Sequence, residues 1–360
     1  MARALRVGLV GCGGISGGHL TAFAEFPDKL ELVAVCDIDR AAAQRRAQQA
    51  GVEAVYTDFR RLLAHPGVDA VDLCTTHDTH AALAVAASEA GRHVLVEKPM
   101  ACSLAQCQDM LRAAALSGVT LMVAQCERYQ PRYRGVRRLI REGELGMIHA
   151  VRFDSMQNLP AFLPPGHWLY DGQRAGGGVV ISVAVHRIDL LRMLVGDVRR
   201  VSAVCRTRRA EFVNGAEDYA AALLEFGNGA VGEMFATYSG YRMPWSQQFM
   251  IFGQHGAVHA VPPLGTDAGP ALVASSCRGG AGQGWAGQFT GFVPVEPDRT
   301  ELPTDDGFVN ELVHFAECCQ TGAEPLSSGR DNVETMKVVF GIYESARSGQ
   351  PVELAGLRAT

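Results

Sequence analysis

Gly11-Cys-Gly13-Gly14-Ile15-Ser16 follows a short apolar run and opens a helical stretch. Without side chains at Gly11 and Gly13 the backbone can turn tightly and approach a pyrophosphate, while a helix start offers free N–H groups and a favourable dipole. Ser16 stands where the usual fingerprint has a third glycine, and is small enough for close packing. Asp37 closes the second apolar run. A carboxylate there accepts from an adenosine ribose and repels a 2′-phosphate, which favours NAD over NADP as cofactor. A helix N-cap before Arg40 is the competing reading of Asp37, and Arg40 folding back toward a 2′-phosphate would reverse the preference.

Glu97-Lys98-Pro99 ends another apolar run. The chain has 33 basic residues, and only Lys29, Lys98 and Lys337 among them are lysine. A lysine kept against that bias invites a role that guanidinium cannot fill. Beside a cationic nicotinamide an amine can be tuned to exchange a proton, so Lys98 is the first catalytic candidate. The bland alternative is a surface ion pair.

These residues, with Thr75-Thr-His-Asp-Thr-His80, resemble the Gfo/Idh/MocA oxidoreductases, and the resemblance runs nearly the whole length. Glu127-Arg128-Tyr129-x-Pro131 is similar to the segment that follows the family's Rossmann domain. Gly176-Gly-Gly178 with His186-x-x-Asp189-Leu190 is similar to its substrate helix, and Phe308-x-x-Glu311-x-x-His314-Phe315 to its C-terminal helix. The resemblance implies a cofactor lining of Gly11, Gly13, Gly14, Ile15, Ser16, Asp37, Ile38, Thr75, Thr76, His77, His80, Glu97 and Lys98. It also implies a Lys, Asp, His catalytic set whose last two members sit four residues apart on one helix. Lys98 and His186 match, but Ser182 occupies the aspartate position. Serine can hydrogen-bond a sugar hydroxyl yet cannot stabilise an imidazolium, so His186 is expected near its ordinary pKa.

Lys98, Arg128, Tyr129, Trp168, Ser182 and His186 are the substrate-side candidates, with His167 at the rim. Trp and Tyr can stack on a sugar face, and Arg128 can hold an anion or pair with Glu127. Asp189 reads as steadying the helix or the lysine, His19 as structural, and Cys318–Cys319 as packing. No metal site is expected. The implied activity is NAD-dependent oxidation of a hydroxyl on a sugar, cyclitol or derivative. The alternative is a lyase, epimerase or glycosidase that oxidises its substrate only transiently.

Elements that could position these groups follow from periodicity. Leu5–Val10, Leu30–Asp37, Ala70–Cys74, His93–Glu97 and Leu121–Ala124 read as strands between helical segments, the rhythm of a parallel, doubly wound sheet. After Tyr129 longer strands follow, at Ile148–Met156, Arg200–Arg206, Tyr219–Phe226, Ala230–Tyr238 and Gln247–Phe252, with an Asn-Gly turn that suits a hairpin. The expected fold is an α/β Rossmann domain (1–125), an α+β open-faced, largely antiparallel sheet domain (126–310), and a C-terminal helical segment (311–360) packed back on the body. A glycine-rich run over 278–291 reads as a loop.

Composition agrees. At 360 residues, 48% hydrophobic and 20% charged, the chain is globular in character, and a net charge of −5 leaves no basic excess for nucleic acid. The first apolar run is too short for a signal peptide, no run suits a membrane span, and ten scattered cysteines suggest a reducing cytoplasm. A homodimer or homotetramer through the open sheet is implied by the family resemblance.

Overall fold

The computed structural model describes residues 3–241, 246–261, 271–276 and 293–357. The glycine-rich run at 278–291 lies outside them.

The first sheet is built from β1 (Leu5–Val10), β2 (Leu30–Cys36), β3 (Val55–Tyr56), β4 (Ala70–Leu73), β5 (His93–Glu97) and β6 (Leu121–Ala124). Its order is β3-β2-β1-β4-β5-β6, and every pairing is parallel. Helices α1 (Ser16–Glu25), α2 (Arg40–Ala50), α3 (Phe59–Leu63), α4 (His77–Glu89) and α5 (Leu104–Ser117) make the crossovers. The chain leaves β1 toward β2 and β3, then returns to place β4 on the other side. The strand order thus reverses between β1 and β4, and a crevice opens beyond their carboxyl ends. Strands buried on both faces explain the near-continuous apolar runs. The β3–α3 pair, absent from the sequence reading, is too short to show a period.

Next come α6 (Pro131–Arg141), β7 (Ile148–Met156), the single turn α7 (Gly172–Ala175) and α8 (Val185–Val195), whose entry is a π-helical turn at Val180–Ala184. Strands β8 (Val198–Arg206), β9 (Tyr219–Phe226), β10 (Val231–Thr237), β11 (Ser246–Gly253), β12 (Gly256–Val261), β13 (Ala271–Ser276) and β14 (Val293–Pro294) complete the region. The second sheet runs β14-β13-β12-β11-β7-β10-β9-β8-β15, where β15 is Val352–Glu353 near the C-terminus. Among the described residues only β7 with β10 is parallel in this sheet. The β9–β10 hairpin turns at Asn228-Gly229, as its sequence predicts.

Alternation decides which sheet face is covered. Ala220, Ala222 and Leu224 of β9 point inward with Met234 and Ala236 of β10, in one core with Ile188 and Leu191 of α8, whereas Leu223 and Val231 lie exposed. The tail forms α9 (Gly307–Thr321) and α10 (Gly329–Ser348), broken at Gly322. Helix α9 packs on α1 and β1, and α10 on α5, α8 and β8, so the last residues touch both sheets. Its first helix starts at Gly307, ahead of the boundary expected at 311.

Candidate active site

The glycine loop joins β1 to α1. Gly11 (φ +89°) passes so close to β4 that a Cβ would lie 2.5 Å from the Cys74 carbonyl oxygen, whereas a Cβ on Gly13 or Gly14 would meet open space. Ser16 is fully buried and its hydroxyl donates back to the Gly13 carbonyl at 2.8 Å. Its side chain therefore shapes the loop at the start of α1. Helix α1 starts without a side-chain cap, as do α4, α6 and α8, whereas α2, α5, α9 and α10 are capped by Asp39, Ser103, Asp306 and Ser328. An uncapped helix start behind open glycines fits a dinucleotide pyrophosphate.

Asp37 ends β2 beside this loop. It accepts from the Cys12 N–H at 2.7 Å and the Asp39 N–H at 2.8 Å, while Asp39 caps α2. The capping alternative for Asp37 is thereby excluded, and its carboxylate is held at the loop. Ile38 beside it is exposed. Arg46, rather than Arg40, reaches the loop and donates to the Gly13 carbonyl at 2.7 Å.

Lys98 directly follows β5 and precedes a cis peptide bond to Pro99, and its Nζ donates to the Ser182 carbonyl at 3.0 Å. Thus the carboxyl edge of the first sheet meets the π turn that leads into α8. One turn on, His186 is partly buried, and its Nδ1 has no hydrogen-bond partner among the described residues. Burial, then the charges of Lys98 and Arg187, hold its pKa well below the ordinary value. That corrects the expectation of a nearly unperturbed imidazole: losing a carboxylate partner is compounded by two cations. Trp168 packs edge-on against His77 (centroids 4.6 Å apart), whose Nδ1 lies 2.9 Å from the Ala175 carbonyl. Burial and neighbouring cationic groups lower the His77 pKa. Thr75 accepts from the Thr79 hydroxyl, and Thr76 donates to Asp78. His167 packs beside Trp168, and its Nδ1 accepts from the Leu169 N–H at 3.3 Å.

Four further candidates are placed elsewhere than expected. Arg128 is buried and grips both oxygens of Asp189, at 2.5 and 2.7 Å, with Asp331 2.6 Å away. It fastens α8 to α10 and offers nothing to a substrate, and Asp189 steadies that junction rather than the lysine. Tyr129 is 2% exposed, its hydroxyl 2.9 Å from Ser327 Oγ, so it belongs to the core. His80 is wholly enclosed, with Nδ1 2.8 Å from the Pro99 carbonyl and Nε2 3.2 Å from that of Thr75. It braces the Lys98 turn and has no face for a cofactor. Glu97 turns its carboxylate inward, accepting from the Lys98 N–H at 3.0 Å and lying 3.2 Å from His19 Nε2.

His19 also lies 2.8 Å from Asp72. Burial opposes its charge, but Asp72 and Cys74 outweigh that and raise its pKa well above the ordinary value. His19, Asp72 and Cys74 bring potential ligand atoms within 4.8 Å of one another. The His19–Asp72 separation is that of a hydrogen bond.

Sequence reasoning missed Glu217. Its Oε2 accepts from the Gly178 N–H at 2.6 Å and its Oε1 from the Val180 N–H at 2.8 Å and the Tyr343 hydroxyl at 3.1 Å. It anchors the turn that carries Ser182 and leads into the helix of His186. Burial, resisted by these donors, pushes its pKa up to about 7. A carboxyl whose native pKa is raised contributes stability below its unfolded pKa and loses it as pH rises through the native one. Glu217→Gln should cost roughly 1–3 kcal/mol, because one buried N–H faces an NH2 group, and should flatten the decline of Tm with pH. Thermal melts between about pH 5 and 8 check this, and parallel curves of equal midpoint would refute it.

A family profile described as "Oxidoreductase family, NAD-binding Rossmann fold" matches residues 5–125, and one described as "GFO/IDH/MocA C-terminal domain" matches 133–259. The chain belongs to the GFO/IDH/MocA oxidoreductase family. Within it, D-apiose dehydrogenase of Paraburkholderia graminis is 30% identical over 376 residues, covering 98% of this chain and 90% of the relative. The scyllo-inositol 2-dehydrogenase (NAD(+)) of Bacillus subtilis is 27% identical, covering 100% of this chain and 99% of its own. A structure of levoglucosan dehydrogenase in complex with NADH and L-sorbose superposes with a TM-score of 0.87 at 25% identity, covering 98% of this chain and 99% of that one. This GFO/IDH/MocA member is an NAD-dependent oxidoreductase that acts on CH–OH groups. No helix among the described residues is long and apolar enough to cross a membrane.

Proposed function

We propose that the enzyme oxidises a secondary hydroxyl of a sugar, cyclitol or close derivative, with Lys98 and His186 handling the proton. The observation that carries this reading is the Lys98 Nζ contact with the Ser182 carbonyl, which sets an amine from the first sheet one turn before a neutral imidazole. The named substrates of the relatives support the class. NAD, when bound, supplies the hydride acceptor. Gly11 to Ile15 would hold the pyrophosphate and Asp37 the adenosine ribose. Lys98 would donate to the reacting oxygen and stabilise its developing charge. His186, kept neutral by burial and its cationic neighbours, would receive the proton. Trp168 would wall the cleft. A stereochemically varied sugar and cyclitol panel, read by NADH absorbance with NAD and NADP in parallel, tests this. Substoichiometric NADH with a changed product would favour transient oxidation instead.

NAD should bind better than NADP by roughly 1–3 kcal/mol, since a 2′-phosphate would meet the Asp37 carboxylate. Asp37→Ser should narrow the gap, and equal calorimetric affinities in the parent would remove Asp37 from the ribose site.

Ser182→Asp should raise the His186 pKa by giving its protonated form a partner, moving the acid limb of the kcat/KM profile upward from below the usual histidine range. If that profile and the substrate affinity stay unchanged in both Ser182→Asp and His186→Asn, this helix does not line the site.

Nine free cysteines among the described residues support a reducing, cytoplasmic setting. The outer face of the second sheet, with Leu223 and Val231 exposed, supports assembly into a homodimer or homotetramer, which sedimentation would measure.

A further inference from the structure

Arg134, Arg137, Arg138 and Arg141 recur at the spacing that puts side chains on one face of α6. Together with Glu142 and Asp298 they line a cavity of about 290 Å³. The opposite wall is fixed to the helix: the Asp298 N–H donates to the Pro131 carbonyl at 2.9 Å, and Val295 is buried. Asp298 faces Arg134 and Arg138 electrostatically and also accepts from the Thr300 N–H at 3.0 Å. Arg138 donates weakly to the Glu296 carbonyl at 3.4 Å. Arg137 and Arg141, four residues apart, form no side-chain ion pair or hydrogen bond among the described residues. Elsewhere Arg128, Arg187 and Arg192 are each matched to carboxylates. The half-buried Arg137 feels the opposite: burial, then Arg141, Arg134 and Arg128, all disfavour its charge.

Like charges at this spacing repel, and here they flank a half-open cavity. We propose that this cavity is a binding site, separate from the catalytic cleft, for a small phosphate-bearing polyanion. Guanidinium groups hold phosphoryl oxygens through paired N–H donors, and two of them without counter-ions suit a ligand carrying charge on more than one oxygen cluster. The modest, half-open volume of about 290 Å³ suits a small molecule. The net charge of −5 makes a local excess of guanidinium stand out and supplies no general attraction for anions.

The test titrates inorganic pyrophosphate, and separately a hexose phosphate, into enzyme saturated with NADH, so that the glycine loop is occupied. Calorimetry at physiological ionic strength should give saturable binding, tighter for pyrophosphate than for inorganic phosphate. Arg137→Gln/Arg141→Gln should weaken it at least tenfold while leaving NADH affinity and turnover unchanged. A hexose phosphate that outcompetes pyrophosphate would identify an organic phosphate as the occupant. Absence of saturable heat, or binding indifferent to the double substitution, overturns the proposal. So does capture of polyglutamate without any response to pyrophosphate, which would assign the arginines to an acidic macromolecule.

Discussion

Lys98→Arg should lower kcat by roughly a hundredfold or more while leaving much of the NADH affinity, the usual worth of a positioned proton-transfer group. Charge is preserved, so a purely electrostatic role would survive. Guanidinium, however, stays protonated throughout the working range and is broader than the single Nζ that meets the Ser182 carbonyl at 3.0 Å. The position cannot shift to accommodate it, because His80 holds the Pro99 carbonyl and Glu97 is tied inward to His19. Steady-state kinetics beside NADH fluorescence titration separates the two properties. A variant with near-native kcat would leave Lys98 with no task beyond closing the cleft.

Gly178→Ala should be costlier still to the fold. A Cβ there would lie 1.9 Å from the Glu217 carbonyl oxygen and 2.5 Å from its amide nitrogen, and backbone cannot swing aside as a side chain can. The same Glu217 carbonyl accepts the Val179 N–H at 3.0 Å, and the Glu217 side chain holds the N–H groups on either side. Relieving the clash means separating these segments and abandoning three hydrogen bonds. A loss of at least about 3 kcal/mol is expected, the upper end for overpacking. Whatever folds should turn over about a hundredfold more slowly, since displacement of about 1 Å at His186 is enough for that. Chemical denaturation and kcat of the soluble fraction measure both, and an unchanged midpoint would show that the turn yields.

The legible part of the chain was the part governed by local rules. Parallel strands, the glycine loop and the Asn228-Gly229 hairpin each state their geometry within a few residues. Arg128 and Tyr129 misled because a polar run after a strand looks the same whether it meets solvent or a partner two hundred residues away. Asp331 and Ser327 supply those partners, and only the packing of the tail brings them in. Glu217 carried no signal at all: its neighbours contain no motif, and its importance exists only where β9 begins beside the triple glycine. The π turn at Val180–Ala184 is equally silent in sequence, although it shapes the spacing between Ser182 and His186. His186 is marked by its motif, yet its electrostatic setting depends on burial first, then on Lys98 and on Arg187, which the motif leaves unspecified.

The scarcity of lysine has a practical side. Amine-directed reagents have only three lysine side chains to find. All three are partly covered: Lys29 is paired with Glu317 and Lys337 with Glu334, whereas the Lys98 amine meets the Ser182 carbonyl in the candidate site. Three peptides then account for every lysine adduct, two serving as internal controls for reagent and time. The rate at which the third is modified becomes a direct clock for opening of the cleft, readable by mass with no engineered probe.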